Sequence, residues 1–156
     1  MKPNLLPLDP RTLLKTPTKI TYYELSNGKY WHNGFANCLR NYFISIEESK
    51  LISININIDG LPIFKSSKEG FWPILFNIYE IPDFKPMCIG VFSGKGKPAD
   101  LKEFLSPFVN EMNDILENGL IINGISISVS IRAFICDAPA RAFVKGRVIL
   151  TTKTSY

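Results

Sequence analysis

A strict alternation of isoleucine with polar residues at positions 52–58 constrains the fold of this chain more than any other feature. Isoleucine occupies every even position of this run, and serine or asparagine occupies every odd one. Because successive side chains of a β-strand point to opposite faces, the run predicts a strand with one buried and one polar face. Asp59 follows directly, and Gly60, Leu61 and Pro62 then predict a turn.

A second alternating run, at positions 125–135, ends in the same way. The turn sequence Asn123-Gly124 precedes it and Asp137 follows it closely. If the two strands are neighbours, Asp59 and Asp137 converge at the strand ends, where site residues of sheets commonly lie. Two converging carboxylates are the minimal ligand set for a divalent metal bound through oxygen. Aspartate is also a common turn residue before glycine or proline, so the pattern by itself leaves both interpretations open.

The segments between these runs predict an α/β fold. Strands are expected at 74–79 and 87–92, and with the run at 52–58 they form an antiparallel meander. Apolar spacing then predicts a helix that ends at Asn118-Gly119, before the strand at 125–135. Pro107 lies inside this helix. Because proline lacks an N–H and clashes with the preceding turn, we expect a break or kink there, with Ser106 capping a new helix.

The first fifty residues are expected to form a leader and one helix packed on the core. Residues 1 to about 20 alternate prolines with short apolar groups, which is typical of an extended leader. Apolar and aromatic residues from Tyr30 to Phe43 recur at three- and four-residue spacing and predict an amphipathic helix. The organisation is thus a leader and helix at 1–50, an α/β domain at 51–145 and a divergent tail at 146–156.

Composition indicates a single intracellular domain. The chain has 156 residues, of which 46% are hydrophobic, enough for one core. No apolar stretch is long enough to span a bilayer, and the start is too polar for a signal peptide. Cys38, Cys88 and Cys136 have no close pairing and are interpreted as buried free thiols. The net charge of +4 weakly favours a polyanion, with Lys95 and Lys97 as the only local concentration of basic residues.

Two familiar kinds of site are disfavoured by the sequence. The segment from Gly90 to Lys97 has three rather than four residues between its first two glycines, and glycine follows Lys95 where a phosphate-binding loop needs serine or threonine. No nucleotide cofactor is therefore expected. The single histidine, His32, is assigned to the polar side of the predicted helix, away from any nucleophile. This argues against a Ser-His-Asp triad and against histidine-based metal sites.

Four blocks of sequence together resemble a known group of proteins. The two most specific blocks are Asp59-Gly-Leu-Pro62 and Cys136-Asp-Ala-Pro-Ala-Arg141, and the others lie at 8–17 and 71–74. In this order they resemble transposase-derived proteins that are abundant in animal genomes and distantly similar to the transposases of CACTA-type elements. The resemblance covers about residues 5 to 145.

The resemblance implies a ribonuclease H-like fold and metal-dependent cleavage and transfer of DNA strands. In that fold one acid lies on the first strand and another just after the fourth, which are the positions of Asp59 and Asp137. These would be catalytic and would hold Mg²⁺ or Mn²⁺ with a third acid. DNA and a full-length transposase relative are the implied partners, with Lys95, Lys97 and Arg141 as candidate DNA contacts and no membrane partner. A functional protein of this kind would be nuclear.

The chain departs from this group after Lys145. Relatives continue into a segment bearing cysteine and histidine and, later, the third acid, whereas residues 146–156 diverge. The expectation is therefore a partial ribonuclease H-like domain, truncated after the second aspartate and catalytically inactive. Two alternatives stay open: a non-enzymatic module that binds DNA or protein, and a fragment without selected function.

Overall fold

The run at 52–58 forms a β-strand, as predicted, inside a mixed sheet. The computed structural model describes residues 20–44, 47–62, 69–137 and 140–141. In that part of the chain the fold is α/β, with one mixed sheet and two helices. The elements in chain order are β1 (Tyr23–Leu25), β2 (Gly28–His32), α1 (Phe35–Tyr42), β3 (Lys50–Ile58), β4 (Leu61–Pro62), β5 (Glu69–Ile78), β6 (Met87–Lys95), α2 (Leu101–Asn118), β7 (Leu120–Ile122) and β8 (Ile125–Ile135).

The sheet has the strand order β1-β2-β6-β5-β3-β8-β7, and the short β4 pairs with β5. The predicted meander is confirmed, because β5 is antiparallel to both β3 and β6. Among the described strands, the one parallel pair joins β3 to β8, with Asn57 opposite Ile135. The predicted order of three strands, a helix and a further strand is likewise present. Both β5 and β6 extend beyond the predicted bounds, and β5 runs through Pro73.

The isoleucines of β3 lie in the hydrophobic core. All four are at most 3% exposed, and they cluster with Phe76 of β5 and with Phe104 and Phe108 of α2. Full burial of one such side chain contributes about 1.5–3 kcal/mol, so this face of the sheet accounts for a large share of the stability. The asparagines of β3 occupy the opposite face, which makes that face the polar one.

The N-terminal part of the chain differs from the prediction. Tyr30 and Trp31 lie on β2, and the helix begins only at Phe35, so the prediction of a helix from Tyr30 was wrong at its start. Gly34 has a φ of 87°, a left-handed conformation that separates strand from helix. β1 and β2 form a hairpin that joins the sheet by pairing β2 with β6. The proposed leader at 1–19 and the tail at 146–156 lie outside the described residues.

Helix α2 is continuous through Pro107, which contradicts the expected break. Ser106 does not cap a new helix. Its hydroxyl instead donates a hydrogen bond back to the carbonyl of Lys102, one turn earlier. Packing explains why the helix continues, since Phe104 and Phe108 on either side of the proline are fully buried. The contacts of this face outweigh the hydrogen bond that proline cannot donate.

The turn at Asn123-Gly124 is confirmed. Asn123 and Gly124 have φ values of 52° and 80°, the two left-handed conformations of a tight hairpin turn. The turn joins β8 to β7, a three-residue strand that the sequence did not predict. Neither helix in the described ranges is long and apolar enough to cross a membrane.

Candidate functional site

Asp59 and Asp137 lie at the same end of two adjacent strands. Asp59 follows the last residue of β3, and Asp137 lies two residues beyond β8. β3 and β8 are parallel, and their last registered pair is Asn57 with Ile135, so each aspartate follows this pair by two residues at the same end of the sheet. The condition set by the sequence, that the two strands are neighbours, is therefore met.

Each of these carboxylates uses one oxygen to hold a local turn. The Oδ1 of Asp59 accepts a hydrogen bond from the N–H of Gly60 at 2.7 Å. The Oδ1 of Asp137 accepts one from the N–H of Ala140, also at 2.7 Å, and its carbonyl accepts from the N–H of Arg141 at 2.8 Å. Within the described part of the chain, the second oxygen of each aspartate has no hydrogen-bond partner. Both side chains are thus oriented by the backbone and keep an oxygen for a ligand.

The donor set suits a hydrated divalent cation rather than a fully enclosed one. Magnesium is commonly held by one or two carboxylates and keeps several waters, which matches two carboxylate oxygens at a strand end. Within ranges 20–44, 47–62, 69–137 and 140–141, no group of three histidine, cysteine, aspartate or glutamate side chains is close enough to hold a metal. Among the described His, Cys, Asp and Glu side chains, at most the two aspartates could therefore act together as metal ligands at this position.

The candidate DNA contacts lie at the same end of the sheet as the aspartates. β6 runs in the same direction as β3 because both are antiparallel to β5. Lys95, the last residue of β6, therefore lies at the same end of the sheet as Asp59. Lys97 follows in an exposed turn. The turn is held by Asn27, whose side-chain amide donates to the carbonyls of Lys95 and Lys97 at 3.1 and 2.8 Å. Arg141 is exposed four residues after Asp137, and its guanidinium donates to the carbonyl of Cys136 at 3.4 Å.

The polar face of the sheet carries a hydrogen-bonded network that the sequence did not reveal. The Nη1 of Arg132 donates to the Oδ1 of Asn55 at 3.1 Å, and the Nδ2 of Asn55 donates to the Oδ1 of Asn77 at 3.0 Å. Asn55 is buried, with 8% of its surface exposed. The guanidinium of Arg132 also stacks over the ring of Tyr79, 4.1 Å from its centroid. The alternation at 52–58 indicated a polar face, but only the pairing of β3 with β5 and with β8 identifies these partners.

A cleft of about 240 Å³ opens beside this network. Its floor is formed by one face of three neighbouring strands, because Asn55 pairs with Asn77 and Asn57 lies between Leu75 and Ile135. The lining residues are Asn55, Asn57, Leu75, Phe76, Asn77, Pro86 and Ile135. Asn57 is fixed by a hydrogen bond from its Nδ2 to the carbonyl of Ile135 at 2.8 Å.

A second polar cluster joins β2, α1 and α2 on the other side of the sheet. Glu111 of α2 accepts hydrogen bonds from the N–H groups of Phe35 and Ala36 at 2.9 and 3.1 Å, and from the Nε2 of His32 at 3.1 Å. The Nδ1 of His32 lies 2.9 Å from the hydroxyl of Tyr30, which donates to it when Nε2 carries the proton. His32 is the last residue of β2 and contacts Glu111, so its assignment to a helix was wrong. The error arose because the three- and four-residue spacing of aromatic residues, which predicted the helix, continues across β2.

The hydrogen bonds and burial of this cluster indicate a structural role. Burial alone would raise the pKa of the Glu111 carboxyl, but the bonds from His32, Phe35 and Ala36 outweigh it and hold the pKa below its usual value. Burial raises the pKa of the Tyr30 hydroxyl far above its usual range. Tyr30 is fully buried, so no substrate reaches its oxygen. We therefore assign the cluster to fixing the start of α1 against α2.

The cysteines are free thiols, as predicted. Cys38 is buried, whereas Cys88 and Cys136 are half-buried rather than buried. Burial raises the pKa of the Cys38 and Cys88 thiols, which keeps both neutral near pH 7. A neutral thiol is a weak nucleophile, so neither of these two is a candidate for catalysis.

No family model, curated protein or solved structure matches the chain. Its function is therefore inferred from its own residues and contacts. These define an α/β protein with two backbone-oriented aspartates at one end of a mixed sheet and an asparagine-lined cleft beside them.

Proposed function

We propose that the chain is a ribonuclease H-like domain of transposase origin in which Asp59 and Asp137 bind Mg²⁺ or Mn²⁺. The observation that carries the proposal is the parallel pairing of β3 with β8, whose last registered pair, Asn57 with Ile135, lies two residues before each aspartate. The strand order supports it as well. The meander β3-β5-β6, the helix α2 and a further strand beside the first follow the order expected for that fold.

Within this site the chain's own residues hold and orient ligands. The oxygen of each aspartate that is not bonded to the backbone would bind the metal or one of its waters, while the N–H groups of Gly60 and Ala140 fix the carboxylates. In a complete site of this class, the bound metals activate water for cleavage of a phosphodiester bond. Two protein carboxylates give weak binding because affinity rises with the number and charge of the ligands. We propose that the chain itself binds metal weakly and does not cut DNA.

Binding of Mn²⁺ tests the proposal. Calorimetric titration of the wild-type chain should give a dissociation constant of about 0.1–1 mM, the range of the weaker protein cation sites. Asp59→Asn and Asp137→Asn should each weaken binding at least tenfold. Asp83→Asn serves as the matched control, because Asp83 is an exposed aspartate in the loop between β5 and β6. Equal binding by Asp59→Asn and Asp83→Asn would overturn the metal site.

Cleavage is measured separately. Duplex DNA incubated with the chain and Mn²⁺ should remain intact over hours. Metal-dependent cutting that disappears in Asp59→Asn would show that the domain is active and would overturn the proposed inactivity while supporting the site.

A non-enzymatic role in DNA binding is the second candidate function. It is favoured by the placement of Lys95, Lys97 and Arg141 at the same end of the sheet as the aspartates. If these residues contact phosphates, log affinity for DNA falls linearly with log salt concentration. Substituting Lys95 and Lys97 by glutamine should reduce that slope by about one to two, since each phosphate contact contributes about 0.9. An unchanged slope would show that Lys95 and Lys97 do not contact DNA phosphates.

A further inference from the structure

We infer that the cleft on the polar face binds an unpaired nucleobase of a single-stranded nucleic acid. This inference rests on the proposed function, which makes a nucleic acid the substrate of the neighbouring aspartates. The nucleic acid bound in the cleft is single-stranded, and the side chains that line the cleft contact its base.

The hydrogen-bond network fixes which atoms the cleft presents. Arginine has only donors, so the atom of Asn55 that faces Arg132 is the oxygen, and its amide nitrogen must then face Asn77. The Oδ1 of Asn77 is thereby occupied, and its Nδ2 remains as a donor. The Nδ2 of Asn57 donates a hydrogen bond to the carbonyl of Ile135, and the Oδ1 of Asn57 remains as an acceptor. Within the described residues, neither the Nδ2 of Asn77 nor the Oδ1 of Asn57 has another partner.

A donor and an acceptor on neighbouring strands match the edge of a nucleobase. Asparagine is a common partner of adenine, which offers an amino donor and a ring-nitrogen acceptor. Leu75, Pro86 and Ile135 supply apolar contacts for the faces of a ring. The volume of about 240 Å³ lies below the range of about 300–1,000 Å³ that is typical of drug-sized ligands, so the cleft suits a single ring system.

The surroundings favour a strand over a free base. Arg132 and Tyr79 are exposed next to the cleft, and their stacked guanidinium and ring can receive a phosphate or a second base. In the other direction, Asp59 lies two residues beyond Asn57, about 7 Å along the chain at the rise of a β-strand. The net charge of +4 also favours a polyanion.

An extended peptide is a poorer occupant of this cleft. Peptides that join a sheet pair with the backbone of an edge strand. Here β3 is paired with β5 and β8, and β5 is paired with β3 and β6. The backbone at the floor of the cleft is therefore already hydrogen-bonded, and recognition must use side chains.

Fluorescence anisotropy in EDTA tests base binding without metal. The probes are a labelled oligo-dA of eight nucleotides, its duplex with oligo-dT, an oligo-rA of equal length, and an eight-unit abasic strand with the same phosphates. The single-stranded oligo-dA should bind at least tenfold more tightly than the duplex or the abasic strand. Equal binding of oligo-dA and oligo-rA supports recognition of the base alone. Tighter binding of one of them also supports recognition of the base and shows whether the site prefers deoxyribose or ribose. Equal binding of the abasic strand and oligo-dA would overturn the inference.

Asn77→Asp is the sharpest variant because it keeps the acceptor for Asn55 and removes the donor to the cleft. It also adds a negative charge, so Asn110→Asp on the exposed surface of α2 is the matched control. We expect Asn77→Asp to lose at least tenfold more affinity for oligo-dA than the control. Leu75→Trp, which fills the cleft, should give a similar loss. Unchanged binding in both variants would refute the site.

The outcomes separate this inference from the metal proposal. Base binding in EDTA does not require Asp59 or Asp137 to hold a metal. Retained oligo-dA binding together with absent Mn²⁺ binding would contradict the metal site alone, and the reverse result would contradict the cleft alone.

Discussion

Replacing Glu111 by glutamine should destabilise the protein. The Glu111 carboxylate, which belongs to α2, caps the N-terminus of α1, and glutamine cannot keep all of its hydrogen bonds. Three donors converge on the two oxygens of this carboxylate: the N–H groups of Phe35 and Ala36 and the Nε2 of His32. Gly34 leaves the space for this contact, since a Cβ there would lie 2.9 Å from the Oε1 of Glu111. Glutamine has the same shape but only one oxygen, so at least one donor faces an NH₂ group.

The expected loss follows from two contributions. A donor left without its acceptor at a partly buried site costs about 1–3 kcal/mol. Removal of a negative charge from the N-terminus of a helix costs a further 0.3–1 kcal/mol or so. The free energy of unfolding should therefore fall by about 2 kcal/mol at pH 7. For a chain of this length that corresponds to a decrease in Tm of about 4–8 °C.

The effect should depend on pH in a defined direction. The pKa of Glu111 is lower in the folded protein than its usual value of 4.5. A depressed carboxyl pKa contributes stability that is fully present above the unfolded-state pKa and is lost as pH falls through the folded-state pKa. The difference between wild type and Glu111→Gln should thus be constant above about pH 5.5 and shrink below pH 4.5.

Urea unfolding followed by circular dichroism at pH 7, 5 and 3 measures both effects. Glu117→Gln, at an exposed position of the same helix, is the matched control and should change stability by no more than about 0.5 kcal/mol. A loss of less than about 0.5 kcal/mol for Glu111→Gln at pH 7 would refute the capping role. A loss that is the same at pH 3 and pH 7 would refute the assignment to the ionised carboxylate.

Three further substitutions probe individual elements by the same unfolding assay. Asp100→Ala removes the side chain that accepts from the N–H groups of Lys102 and Glu103 and should cost about 1 kcal/mol, whereas Asp100→Asn should cost little. Pro107→Ala restores a helical hydrogen bond and should stabilise the protein by about 1–3 kcal/mol; a destabilised variant would contradict the account of α2. Gly124→Ala places a Cβ at a φ of 80° and should cost about 1 kcal/mol, and an unchanged Tm would show that the hairpin turn is not needed.

Much of the strand content could be predicted because apolar and polar residues alternate along these strands. The runs at 52–58 and 125–135 became β3 and β8 almost residue for residue. The prediction from local pattern failed where a strand and the helix after it have the same spacing of apolar residues. The aromatic residues of β2 continue the three- and four-residue spacing of α1, and only the left-handed Gly34 separates them.

The candidate sites were predictable only where they depend on the position of a strand end. Asp59 and Asp137 were identified because each lies within two residues of the end of an alternating run. The partners of Asn55 were not, since Asn77 and Arg132 reach it through register and through an irregularity after Ile54 in the pairing of β3 with β8. Glu111 and His32 are 79 residues apart, and no local pattern links them. Contacts that depend on tertiary register are not encoded in spacing along the chain.

The parallel pairing of β3 with β8 also sets the order in which the chain can fold. Asn57 and Ile135 are 78 residues apart, whereas the meander strands are connected by short segments. Closing a longer loop costs more entropy, and pairings distant in sequence slow folding. We expect β3, β5 and β6 to assemble first and β8 to join them late. The end of the sheet that carries both aspartates would then be completed only in the last step of folding.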